Sequence, residues 1–293
     1  MEPAGALTAI IDTLRYQRSQ GIKEVYLADD TIAGLQAVLG KRSETKPQHE
    51  PESAPKPQVS HTQAVTKESE TLKPAALIPP VVELPQGDKT TQMAWLRDRV
   101  LNCPICQQHL RPGKQLVVGV GDLDAELFFC GEAPGAEEES VGEPFVGPAG
   151  QLLTRMIEAM GLKRETVYIG NIMNWRPETK GNVGNRPPTA EELAFCLPYL
   201  KAQLAIVRPK VIVALGLTAA NGLLGYDPKR RMGAIRGQWQ AFEDSNLMVT
   251  YHPSYLLRNA SKKIKRMVWE DLLKVMETLA LSISDKQRAY FSD

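Results

Sequence analysis

Cysteine is scarce in this chain. Four in 293 residues are too few to staple a fold of this size, so a disulfide scaffold is excluded. A surplus of charge of either sign is missing as well. The formal net charge is +1, which leaves no global field to attract nucleic acid, so any basic footprint must be local. No run of about 18 apolar residues is present to span a bilayer, and the opening "MEPAGALTAI" lacks the basic-then-apolar pattern of a signal peptide. A cytoplasmic address without a membrane partner is expected. Internal repeats are absent, and aromatic residues nearly vanish between residues 41 and 92.

What is present is ordinary for a soluble protein: 43% hydrophobic and 24% charged residues, enough for one sizeable core with appendages. Within "PAGALTAIIDTLRYQRS", Leu7, Ile10, Ile11 and Leu14 recur at helical spacing and Gly21 stands where a C-cap belongs, so residues 1–40 read as a helical segment. Residues 41–92 turn to Pro, Glu, Lys, Ser, Thr and Gln. Such a stretch buries too little surface to offset its ordering entropy and reads as a disordered linker, with "PAALIPPVVELP" as a docking segment for a partner. From residue 93 to 282 strands and helices alternate. "ELFFCG", "TVYIGN", "KVIVALG" and "LMVTYHP" read as strands; "GQLLTRMIEAMGL", a segment opened by Thr189, "LTAANGLLG" and a run from Lys262 to Leu281 read as helices. That alternation predicts a three-layer α/β/α sandwich with a mostly parallel central sheet, followed by a tail over 283–293.

In such sheets ligands bind at the carboxyl ends of the strands. The residues that follow the strands are the glycine-bracketed turn "GEAPG", then Asn171, Gly216 and His252. Glu137, Glu138 and Glu139 exclude a phosphate cradle, because carboxylates would repel the anion. A carboxylate, an amide and an imidazole are instead the parts for recognising and hydrolysing a neutral polar ligand. Singly, each has a bland reading as a turn former, a solvated loop residue or a structural histidine. Their convergence at successive strand ends favours function. Phe145, an aromatic among glycines and prolines outside any periodic segment, suits stacking on a planar ligand. Cys103 and Cys106 form a CxxC, which reads as metal or redox in a reducing compartment.

Taken together, "GEAPG…EE…PFVGPAGQLL", "YIGN…RP…NRPP" and "HPSYLLR", preceded by a CxxC, resemble the family 4 uracil-DNA glycosylases over roughly residues 95–280. The resemblance implies an enzyme that flips deoxyuridine out of DNA, hydrolyses the N-glycosidic bond and leaves an abasic site for base excision repair, with uracil-containing DNA as partner. Phe145 would stack on the extruded base and Asn171 would read its edge through an amide that donates and accepts. His252 would hydrogen-bond the oxygen on which charge develops. Glu132 or Glu138 would position the water, Glu139 standing where the family pattern has Asp. Pro253, Ser254, Leu256, Leu257 and Arg258 would form the DNA-probing loop, with Leu256 or Leu257 as the wedge, and Arg186 would also meet DNA. An apolar wedge and phosphate contacts are what base flipping requires, and "SKKIKR" with Lys229, Arg230 and Arg231 offers a local basic patch or a solvated helix face.

The family pattern also implies a 4Fe-4S cluster on four cysteines. Cys103, Cys106 and Cys196 match, but Trp175 occupies the third position, and Cys130 sits inside a strand, so the ligand set is incomplete and cluster binding is expected to be weak or lost. The enlarged loop after Asn171 holds no histidine up to Pro188 to trap the sugar, so turnover is expected. A monomer is expected, with a repair-protein partner reached through residues 1–92. Two other readings stand beside uracil release: a relative acting on deaminated purines (hypoxanthine or xanthine), and a weakly catalytic DNA-damage-binding module.

Overall fold

The computed structural model describes residues 77–177 and 185–292. The N-terminal helix read over residues 3–19, most of the linker and the middle of the enlarged loop lie outside the described residues.

Six strands form one sheet in the order β1-β3-β2-β4-β6-β5. These are β1 (Val120–Gly121), β2 (Leu127–Gly131), β3 (Tyr168–Asn171), β4 (Val211–Leu215), β5 (Trp239–Phe242) and β6 (Ser245–Thr250). The central four pair in parallel, whereas β1 and β5 are antiparallel edges. Every residue of β2, β3 and β4 is buried, which is why they appear in the sequence as continuous apolar runs rather than alternations.

The pleat sorts these side chains between two helical layers. Phe128, Cys130, Tyr168, Ile212 and Val249 face a cluster with α1 (Lys89–Leu101), α2 (Pro104–Gln108), α5 (Ala190–Val207) and α6 (Leu217–Leu224). Phe129, Ile169, Val213 and Met248 face α4 (Pro148–Ala159), α8 (Pro253–Arg258) and α9 (Lys262–Thr278). Burying each such large apolar side chain is worth roughly 1.5–3 kcal/mol against leaving it exposed. The expected α/β/α sandwich is therefore the observed one.

The long helix α5 starts where its sequence says it must. Thr189 accepts the N–H of Glu192 at 3.2 Å, and the Glu192 carboxylate accepts the N–H of Thr189 at 2.8 Å, a reciprocal capping box.

Among the described residues, both ends of the domain extend past the boundaries read from the sequence. Helix α1 begins at Lys89, inside the stretch assigned to the linker, and the extended chain before it packs Leu77, Val82 and Leu84 against the core. That part of the expected docking segment therefore docks on its own domain. At the other end, residues 283–293 contain a short helix, α10 (Asp285–Arg288), and Tyr290 lies 5.2 Å from the Trp269 ring. The remaining short helices are α3 (Glu138–Val141) and α7 (Met232–Ile235).

Candidate active site

A cavity of about 270 Å³ opens at the carboxyl ends of the parallel strands. It brings together Phe145, Asn171, His252 and Glu138, which are spread over more than a hundred positions of sequence.

Asn171 ends β3 directly opposite Gly131, the last residue of β2. A Cβ on Gly131 would collide with both Asn171 Oδ1 and the Phe145 ring, so the close approach of amide and aromatic requires glycine there. Asn171 is 5% exposed, and its Oδ1 is buried without a hydrogen-bond partner while the residue lines the cavity. An orphaned buried acceptor costs about 1–3 kcal/mol, a deficit that a ligand donor would remove.

Phe145 is buried although its φ of 55° lies in the left-handed region. Such backbone persists where its surroundings over-determine it. Here Arg164 Nη2 donates to the Pro144 carbonyl at 2.7 Å, fixing the turn ahead of the ring. The Phe145 and His252 rings lie 5.6 Å apart with 32° between their planes, two walls of one slot.

His252 is the N-cap of α8. Its Nδ1 accepts the Ser254 backbone N–H at 3.1 Å and lies 2.8 Å from the Ser254 hydroxyl. Because an amide N–H can only donate, Nδ1 carries no proton in this arrangement and Nε2 carries it. Burial, with a smaller effect from Arg258, lowers the imidazole pKa to about 4, so the ring is neutral at physiological pH. The strand ahead of it is pinned from behind: Thr250 Oγ1 donates to the buried Asp271 carboxylate at 2.7 Å, and Arg236 Nη2 meets the same carboxylate at 2.7 Å.

The acidic residues separate into distinct places. Glu138 lines the cavity; its Oε1 accepts the N–H groups of Val146 and Gly147 at 3.2 and 3.1 Å, and its Oε2 lies over Gly135. Glu132 is not among the cavity-lining residues. Burial raises its pKa, and the Thr218 side chain at the start of α6 opposes that shift without cancelling it. Glu139 points away into an ion-pair cluster with Arg111 and Arg176, the latter at 3.0 Å. Burial would raise its pKa, but the two guanidinium groups outweigh that and hold the carboxyl below its ordinary range. Arg176 Nε also donates to Asn185 Oδ1 at 2.7 Å, and Asn185 lines the cavity. Arg176 and Asn185 belong to the "RP…NRPP" part of the motif, but no site role was read for either, since a polar residue in a polar loop carries no periodic signal.

The loop after β6 is helix α8. Pro253 and Leu256 are buried, Leu257 is 46% exposed, and Ser254 and Arg258 line the cavity. Arg186 makes a two-pronged contact with the Glu192 carboxylate at 2.7 and 2.6 Å, so the same guanidinium that sequence assigned to DNA also secures the start of α5.

Cys103, Cys106 and Cys196 gather on the far side of the sheet layer, all buried. Trp175, in the loop after β3, is fully buried in the same cluster. Three thiols with an indole at the fourth position do not fit a four-thiolate cluster, because the indole nitrogen has no lone pair to offer a metal.

The sequence model of the Uracil DNA glycosylase superfamily matches residues 118–273. A type-4 uracil-DNA glycosylase of Thermotoga maritima is 43% identical over 185 residues, covering 62% of this chain and 92% of the relative. The type-4 uracil-DNA glycosylase of Archaeoglobus fulgidus is 48% identical over 164 residues, 54% of this chain and 79% of its own. That of Pyrobaculum aerophilum is 38% identical over 169 residues, covering 56% and 83%.

Proposed function

This chain belongs to the uracil-DNA glycosylase superfamily, and from that premise we propose that it excises uracil from DNA by hydrolysis of the N-glycosidic bond. The observation that carries the reading is the pair of opposed polar groups in one aromatic-walled cavity. Asn171 Oδ1 is an acceptor without a donor, and His252 is a neutral imidazole whose protonated nitrogen is the one not used by Ser254. Uracil offers an N–H donor flanked by carbonyl oxygens on a flat ring. The Asn171 amide takes the N3–H and presents its own N–H₂ to O4, while Phe145 stacks on the ring.

The chemistry follows from where charge moves. Water attacks C1′ as the N1–C1′ bond breaks, and the bonding pair leaves with the base, delocalised onto its O2. A neutral Nε2–H donor fixed beside that oxygen stabilises the anion without the reorganisation that water would need. Glu138 holds the attacking water and takes up its proton, a role supported by one oxygen fixed by two backbone amides and the other lying by Gly135, which also lines the cavity. Leu257, exposed on α8 while Leu256 is packed inside, fills the gap left by the extruded base, and Arg258 beside the cavity meets phosphate. The reading includes a chain that acts as a monomer in the cytoplasm and turns over without a covalent intermediate.

The test is direct. Oligonucleotides carrying uracil, hypoxanthine or xanthine are incubated with the full chain and abasic sites are then cleaved with alkali. Strand scission with uracil alone is expected, and Asn171→Ala should lose it while keeping the native fold. Preferred scission at a deaminated purine, or binding without scission of any substrate, would overturn the reading.

A further inference from the structure

Three segments carry the thiols and the residue that breaks their pattern. Cys103 and Cys106 lie at α2, Trp175 in the loop after β3, and Cys196 on α5. A cluster held by four thiolates would cross-link these segments. In this chain another set of contacts already does so. His109, the C-cap of α2, stacks on Trp175 with ring centroids 4.6 Å apart and 3° between planes. Trp175 in turn meets Phe195 of α5 at 5.9 Å, and Phe195 meets Tyr199 at 6.3 Å. The indole is 0% exposed, and its Nε1 is buried without a partner. An indole N–H donates and has no lone pair for a metal, so this corner cannot be a ligand.

We propose that the locus of Cys103, Cys106, Cys196 and Trp175 is a converted metal site, in which the His109–Trp175–Phe195 ring stack joins the three segments and the chain folds without iron. The three thiols then serve as small buried apolar groups beside the stack. This inference does not rest on which base the cavity releases, and its readout is metal content and stability rather than activity.

The full chain, purified anaerobically and treated with iron and sulfide, is assayed for iron, acid-labile sulfide and the broad visible absorbance of thiolate-to-iron charge transfer. Its thermal unfolding is recorded with and without a chelator. No stoichiometric iron, no visible band and a chelator-independent midpoint are expected. Stoichiometric iron and sulfide with the band, or a midpoint that falls with chelator, would overturn the proposal. Trp175→Cys supplies the fourth thiolate and is expected to gain iron, sulfide and the band on the same treatment. A folded Trp175→Cys chain that takes up no more iron than the parent would show that position 175 does not exclude the cluster. Trp175→Phe keeps a ring in the stack and guards against a cysteine variant that fails to fold. It should stay iron-free, and iron uptake by it would equally overturn the proposal.

Discussion

His252 accepts the backbone N–H of Ser254 on its Nδ1 at 3.1 Å, and this one contact fixes which imidazole nitrogen carries the proton. The nitrogen not engaged by that contact is a donor, which the proposed stabilisation of an oxyanion on a departing pyrimidine requires. His252→Ala should therefore lower the single-turnover rate of uracil release by about 10²- to 10³-fold, the range for losing one preorganised donor. Affinity for uncleaved uracil-containing DNA should change much less, because the donor matters most when charge has developed. A variant that loses binding but keeps its single-turnover rate would place His252 in recognition instead.

The same burial makes stability depend on pH. The folded-state pKa of His252 is lowered to about 4, against an ordinary value of about 6.5 in the unfolded chain. Between these values the unfolded state binds a proton that the folded state does not. Stability should thus be lost as pH falls from about 6.5 to about 4 and be fully present above that window, this group contributing at most about 3 kcal/mol. Carboxylates titrate near the lower end too, so the comparison is with His252→Gln. Urea midpoints of the parent should fall more steeply than those of the variant across the window; parallel curves would mean that the ring protonates freely in the folded chain.

Two glutamates in one motif have different surroundings, which predicts different work for them. Glu138 lines the cavity and has one oxygen doubly hydrogen-bonded, whereas Glu132 is not among the lining residues and burial raises its pKa. Glu138→Gln should reduce the rate of uracil release by about 10²-fold or more, within the usual range for a positioned base. Glu132→Gln should stay within a few-fold of the parent. The opposite order, measured on the same oligonucleotide, would move the water to the end of β2.

The different positions of these glutamates were illegible in sequence because they depend on how the chain turns after β2. Fully buried strands such as "VIVAL" announce themselves as unbroken apolar runs, and the strand ends are where Asn171 and His252 meet at one cavity. The edges did not. β1 is a two-residue pairing and β5 is mostly exposed, so neither carries a usable hydrophobic period. Helix α1 was absorbed into the linker because "KTTQMAWLRDRVL" buries only Leu96 and Val100 completely. Asn185 and Arg176 reach the site through a loop whose course no local pattern encodes. The Arg186–Glu192 contact had one legible half, the Thr189 capping box that sets Glu192 at the start of α5.

On α8 the choice between two adjacent leucines is made by packing. Leu256 is 6% exposed and belongs to the core beneath the helix, while Leu257 is 46% exposed. Truncating Leu256 should act mainly on stability, by about 2–5 kcal/mol. Truncating Leu257 should act on the step in which a base leaves the stack, which costs a few kcal/mol in a duplex and little in a single strand. Leu257→Ala is therefore expected to slow uracil release from duplex DNA by about tenfold, equivalent to about 1.4 kcal/mol, and to leave release from the same sequence as a single strand within twofold. The ratio of the two rates, measured in one preparation, cancels differences in active enzyme concentration. An equal loss on both substrates would mean that Leu257 supports the cavity rather than filling the space a flipped base vacates.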